Sequence, residues 1–148
     1  YSDLPIIDVR IFNYFSASQD LSARFLICDV LRAIRDRTIL RTSAENIVRD
    51  YLHPSDFCRL IEAVLSASPV NDVVDAYSRS PVDKFTLLTS MKDRFGLNFE
   101  LVEDVVGVNA TGNKSHYYSL NTRASEFGYE PTLSSIDGIL REAEILLN

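Results

Sequence analysis

A glycine-rich phosphate loop, a Gly-x-Ser-x-Gly elbow and a Tyr-x-x-x-Lys pair are all missing from this chain of 148 residues. Tyr14 is followed four residues on by Ser18, and Tyr77 by Pro81, so none of these common catalytic signatures is encoded. Carboxylates are plentiful, yet no two form an acid/base pair by spacing, and no catalytic residue is assigned. Metal ligands are equally scarce. Cys28, Cys58, His53 and His116 are the only thiols and imidazoles, and they lack companions at ligand spacing, so no metal centre is assigned. Both cysteines fall on apolar helical faces and read as buried free thiols. Positive charge is in deficit, with 15 Lys+Arg against 21 Asp+Glu and a net charge of −6. That balance argues against a general nucleic-acid binder, which needs concentrated basic residues. No apolar run approaches the roughly 18 residues of a membrane span, and no signal peptide is visible. A cytoplasmic protein with no membrane partner is expected.

What is present is enough apolar sequence, 46%, for one real core with a small satellite lobe. The chain begins with Tyr1 and enters a strand within four residues, which reads as a piece of something longer. Leu4 to Phe12 is β-branched and nearly continuously apolar, as suits a strand covered on both faces. Asp20 can cap a helix over roughly 21–36, with Leu21, Phe25, Cys28, Leu31 and Ile34 at helical spacing. Thr38 to Arg41 and Ile47 to Leu52 are short extended pieces. Pro54 fits the first position of a helix with Asp56 in its first turn, and Phe57, Leu60, Ile61, Val64 and Leu65 form its buried stripe. Asn71 to Tyr77 is a strand. Ser80-Pro81-Val82-Asp83 resembles a capping box that opens a helix to about Arg94, ended by Gly96. Phe99 to Val102 is a strand and Gly107 to Ser119 a loop. A short helix over Asn121 to Phe127 stops at Gly128, and a last amphipathic helix covers about 133–147. With no repeat or linker, residues 1–148 read as a single α/β unit.

Arg49-Asp50-Tyr51-Leu52-His53 followed by Pro54-Ser55-Asp56 is the stretch with most chemical promise. An arginine ends an extended segment a few residues before a helix start, which sets a guanidinium beside backbone N–H groups and suits a phosphate. The same arginine could instead bridge Asp50 or Glu45 as pure structure. Asn13 closes the first strand and could either satisfy a turn or face a ligand at the carboxyl end of a parallel strand. His53 reads as a residue that satisfies the turn before Pro54. In the polar loop, Lys114 is a further phosphate partner, and the aromatics of His116-Tyr117-Tyr118 either line a pocket or cover the core.

The order of these motifs is recognisable. Arg10-x-Phe12-Asn13, then a helix, then Arg49-Asp50-Tyr51-x-His53-x-x-Asp56 resembles the C-terminal half of the extended short-chain dehydrogenase/reductases, the NAD-dependent epimerase/dehydratase family acting on nucleotide sugars. The Ser80-Pro81-Val82 helix start, Asn121-Thr122-Arg123, Phe127-Gly128-Tyr129-Glu130-Pro131 and Ile139-Leu140-Arg141-Glu142-Ala143 look like that family's closing segments. Ser16 and Thr42-Ser43-Ala44-Glu45 depart from it, standing where glycines are usual.

The resemblance implies the last strands of a Rossmann-type parallel sheet plus a small mixed α/β substrate lobe. It implies substrate binding by Asn13 and Arg49 at the diphosphate, with Phe25 on the helix near residue 21, and Lys114 and Tyr117 in the later loop, shaping the nucleotide and sugar pocket. The NAD(P) loop and the Tyr-x-x-x-Lys pair would lie in an N-terminal half absent here. This chain alone would then bind no cofactor fully and turn nothing over, while the parent would be an epimerase, dehydratase or reductase. Its partners would be a nucleotide sugar, the missing half and, through unpaired strand edges, further copies of itself. The competing reading is a non-catalytic binding or regulatory domain on the same scaffold.

Overall fold

A computed structural model describes residues 4–103 and 114–148. Part of the expected 107–119 loop, residues 107–113, therefore lies outside the described residues. Strand β1 (Ile7–Arg10) pairs in parallel with β4 (Asp72–Asp75), Ile7 opposite Asp72 and Arg10 opposite Asp75. The strands β2 (Ile39–Ser43) and β6 (Asn98–Val102) form a second parallel pair. The third sheet has β3 (Val48–Arg49) at its centre, antiparallel to β5 (Val82–Asp83) and parallel to β7 (His116–Tyr117). Among the described residues, four α-helices pack around these sheets: α1 (Leu26–Arg35), α2 (Pro54–Ser66), α3 (Lys84–Phe95) and α4 (Ser135–Leu147).

Two apolar clusters organise the molecule. The larger gathers Ile27, Val30 and Leu31 of α1, Leu87, Leu88 and Met91 of α3, and Ile139 and Ala143 of α4. The smaller holds Leu60 of α2 against Val74, Ala76, Ala124 and Tyr129, with Ile7 and Val9 packed on it. Because side chains alternate along an extended backbone, Tyr51 enters the first cluster and Leu52 the second. Residues 49–53 are thus the seam between the cores. Full burial of a side chain such as Leu52 contributes about 1.5–3 kcal/mol, so the seam is anchored from both sides.

Several expectations need correction. β1 is covered on one face only: Ile7 and Val9 face the smaller cluster, whereas Ile6 and Val73 remain 55% and 38% exposed. Asp20 does not cap α1. Its carboxylate accepts from Ser22 N and Ser22 Oγ in a local turn, and the helix starts only after Phe25, an extended residue without a side-chain cap. The proposed capping box at Ser80 fails because Val82 and Asp83 pair with β3 instead. Asp83 is the true cap of α3, accepting from Thr86 N at 3.1 Å and Thr86 Oγ1 at 2.6 Å. Those bonds hold its carboxyl below the usual carboxylate range. Leu65 leaves the α2 stripe and is 78% exposed, and Cys58 is exposed while Cys28 is buried.

Other stops fall where the residues put them. Pro54 opens α2, Gly96 ends α3 at φ 74°, and Gly128 ends the 3₁₀ turn Arg123–Phe127 at φ 85°, positive angles that glycine adopts without steric penalty.

Candidate functional site

Beyond Arg10 the chain leaves β1 and runs beside the seam. Tyr14 bridges Leu52 in parallel, Leu52 N donates to Asn13 O at 3.0 Å, and Phe15 N donates to Leu52 O at 3.2 Å. The Asn13 amide reaches across and donates to Asp50 O at 3.2 Å. Between this strap, β3 and the start of α1 opens a cleft of about 220 Å³. Its walls include Phe12, Asn13, Gln19, Phe25, Ile27 and Arg49.

Three of the five expected ligand contacts, Asn13, Phe25 and Arg49, therefore meet in one cleft. The other two adjoin it. Tyr117 sits on β7 directly opposite Arg49, its ring centroid 6.0 Å from the guanidinium carbon and 5.3 Å from the Phe12 ring in an edge-on contact. Lys114 Nζ lies 4.9 Å from the same ring centroid. Two cations thus lie within cation–π distance of one ring. His116 is exposed on the same strand.

Arg49 is buried at 4% exposure and donates from Nη1 to Val48 O at 2.9 Å. The neighbouring Asp50 carboxylate accepts from Ser78 N at 3.0 Å and Ser135 Oγ at 2.8 Å. Ser135 Oγ in turn accepts from Tyr51 N at 2.8 Å. Burial pushes the Tyr51 phenol up to about 12, partly offset by Arg49, so it stays a neutral wall at physiological pH.

Which helix start faces the cleft differs from the sequence reading. The N-terminus of α2 is closed: His53 Nδ1 accepts from Ser55 N, and Asp56 is fully buried against Thr132 N and Leu133 N. The α1 start is the one that lines the cleft, through Phe25, Leu26 and Ile27, and no side chain caps it. Its first N–H groups carry the partial positive charge of a helix N-terminus. A buried guanidinium beside an uncapped helix start is a geometry that attracts oxyanions. Gln19 and Ile47 were missed in the sequence, as was the uncapped start of α1. The one available signal for the last was the absence of Ser, Thr, Asp or Asn just before Leu26.

His53 has a second tie. Its Nε2 lies 3.0 Å from Glu142 Oε1, and Glu142 Oε2 accepts from Ala17 N at 2.5 Å. The ring is thus the Nε2–H tautomer, since Nδ1 is an acceptor. The expectation that His53 serves the turn before Pro54 holds. Among the described residues, no three His, Cys, Asp or Glu side chains gather as a metal site, and no helix is long and apolar enough to cross a membrane.

The parallel pairs, the helices around them and the small mixed sheet define part of a Rossmann-type α/β fold. Among solved structures, the chain is similar to UDP-glucuronic acid 4-epimerase from Bacillus cereus, solved with UDP-glucuronic acid and NAD (16% identity, TM-score 0.77). That match covers 96% of this chain and 45% of the epimerase. UDP-glucose 4-epimerase from Thermotoga maritima, solved with UDP-glucose, gives 19% identity and a TM-score of 0.77 over 93% of this chain and 44% of its own. dTDP-glucose 4,6-dehydratase from Bacillus anthracis, solved with NAD, gives 21% and 0.75 over 95% and 44%. The chain spans less than half the length of each. No family model matches it, and no curated protein does.

Proposed function

We propose that this chain is the substrate-binding portion of an NAD-dependent nucleotide-sugar epimerase, dehydratase or reductase, and that it holds the nucleoside diphosphate. The observation that carries this reading is the buried Arg49 guanidinium in one cleft with Asn13 and the uncapped start of α1. A diphosphate placed there receives a planar fork from Arg49 and helix N–H groups from α1. Phe25, 42% exposed at the cleft edge, offers a flat face for the base. Tyr117, opposite Arg49, and Lys114 beside it would extend the wall toward the sugar. The solved structures in which this fold accompanies bound UDP-sugars support the same class of ligand.

In the proposed parent, NAD would bind to an N-terminal half and take or return the hydride, while this chain's residues hold and orient the sugar nucleotide. The exposed face of β1 and β4, with Ile6 and Val73 uncovered, supports a further layer contributed by such a half.

The test is titration of UDP- and dTDP-sugars into wild type, Arg49→Lys and Arg49→Ala. Loss of a charge-assisted bidentate contact should weaken binding by about tenfold or more in Arg49→Ala, with partial retention in Arg49→Lys. Equal affinity of all three would overturn the assignment. A second reading, a binding or regulatory domain in which Arg49 only braces β3, has the Nη1 bond to Val48 O in its favour. It predicts an Arg49→Ala variant that is destabilised yet unchanged in affinity.

A further inference from the structure

A second cleft, of about 400 Å³, lies between the end of α3, the loop at Arg79, residues 132–133 and α4. It shares no lining residue with the first. Three arginines, Arg79, Arg94 and Arg141, surround it on a chain whose net charge is −6. Its two carboxylates are already engaged. Glu144 Oε2 lies 2.9 Å from Arg94 Nη2, and Asp137 Oδ2 accepts from Ser134 Oγ at 2.6 Å in the cap of α4. Among the described residues, the guanidinium groups of Arg79 and Arg141 make no ion pair or hydrogen bond. The cleft therefore carries two forks without a hydrogen-bonded partner, beside one carboxylate, Asp137, whose charge no ion pair neutralises, so its lining keeps a net positive charge.

The backbone beneath them is held in place. Arg79 N donates to Leu133 O at 2.8 Å, Ser135 N to Ser80 O at 3.0 Å, and Thr132 N to the buried Asp56 carboxylate. The side chains of Arg79 and Arg141 are exposed above it. A carboxylate has two oxygens and satisfies a single fork, whereas a tetrahedral dianion has enough oxygens for two. The cavity is many times the roughly 30 Å³ that a water molecule occupies in the liquid, which leaves room for an organic group attached to the anion. We infer that this cleft is a second oxyanion site, which binds the phosphate of a phosphorylated small molecule through Arg79 and Arg141, independently of Arg49.

Amide chemical shifts of the chain, followed during titration with inorganic phosphate against chloride of matched ionic strength, test this. Wild type should show saturable shifts at Arg79, Thr132 and residues 137–141. The Arg79→Gln/Arg141→Gln double variant changes only exposed side chains and should keep its melting temperature while binding at this cleft weakens by about tenfold or more. Arg49→Ala should leave these shifts intact, whatever it does to nucleotide-sugar binding. Absence of saturable shifts in wild type, unchanged binding by the folded double variant, or loss of the shifts in Arg49→Ala would each overturn the proposal.

Discussion

Ser135→Ala is the substitution that probes most directly how the seam is held. Ser135 is fully buried, and its hydroxyl works in both directions: it donates to Asp50 Oδ1 and accepts from Tyr51 N, each at 2.8 Å. It also lies 3.1 Å from Ser78 Oγ. Alanine removes a hydrogen bond to a charged group, worth about 1.5–3 kcal/mol net, and strands the Tyr51 N–H at a desolvation cost of about 1–3 kcal/mol. The two losses overlap, since the network can shift, and alanine recovers a few tenths of a kcal/mol in helix propensity. A net destabilisation of about 2–4 kcal/mol follows, equivalent to a fall of roughly 5–15 °C in Tm for a domain of this size. Urea denaturation with a common m-value measures it, and Ser134→Ala, an ordinary N-cap loss of about 1 kcal/mol, serves as the reference. Since Tyr51 and Arg49 both line the first cleft, Ser135→Ala should also weaken the nucleotide-sugar binding proposed above. A loss below about 1 kcal/mol would refute the view that this network fixes the Arg49 segment.

Three further expectations concern other parts of the chain. Asp83→Ala should cost about 1 kcal/mol at neutral pH as a lost helix cap. Because the folded carboxyl lies below its usual range, the cap's contribution is present above the unfolded pKa near 4 and fades as pH falls through the folded value; a wild-type advantage in urea melts that grew with acidification would contradict this. Thiol labelling under native conditions should modify Cys58 quickly and Cys28 only on unfolding, because Cys28 is buried and its thiol is pushed up by desolvation; two equally fast thiols would show that α1 does not pack as described. The chain should self-associate with rising concentration through the open β1 face, and Ile6→Lys should reduce this in sedimentation velocity; unchanged association would place the contact elsewhere.

Local chemistry was legible wherever one residue type decides the outcome. Pro54, Gly96 and Gly128 set helix boundaries because ring geometry and positive φ leave few alternatives. Boundaries that depend on tertiary pairing were not. Ser80-Pro81-Val82-Asp83 has the composition of a helix start, but β3 offers Val82 and Asp83 a strand partner, and pairing delays the helix until Lys84. Asp20 likewise has the chemistry of a cap and is spent on Ser22 instead. The expectation that β1 is covered on both faces came from its apolar run, and sequence cannot say whether the second layer belongs to the same described chain. For the site, Asn13, Phe25 and Arg49 could be named from motif order. That α1 and not α2 presents its N-terminus to Arg49 could not, because it depends on where residues 13–19 cross the seam.

That crossing is itself fixed from the far end of the sequence. Ala17 N and His53 both bond to Glu142 on α4, Asp50 bonds to Ser135 at the start of α4, and Asp56 bonds to residues 132–133 just before it. Each carboxylate is buried and holds at least two partners, so removing one leaves the charge less fully satisfied, a loss usually larger than that of a surface pair. The last helix therefore acts as a clamp across both walls of the Arg49 cleft, although it contributes no residue to the cleft lining. It follows that removal of α4 should collapse the cleft with the larger core, whereas substitutions on its exposed face, such as at Ile145, 66% exposed, should leave nucleotide-sugar affinity unchanged. Proteolytic trimming of α4 that left a folded, ligand-binding core would refute the clamp.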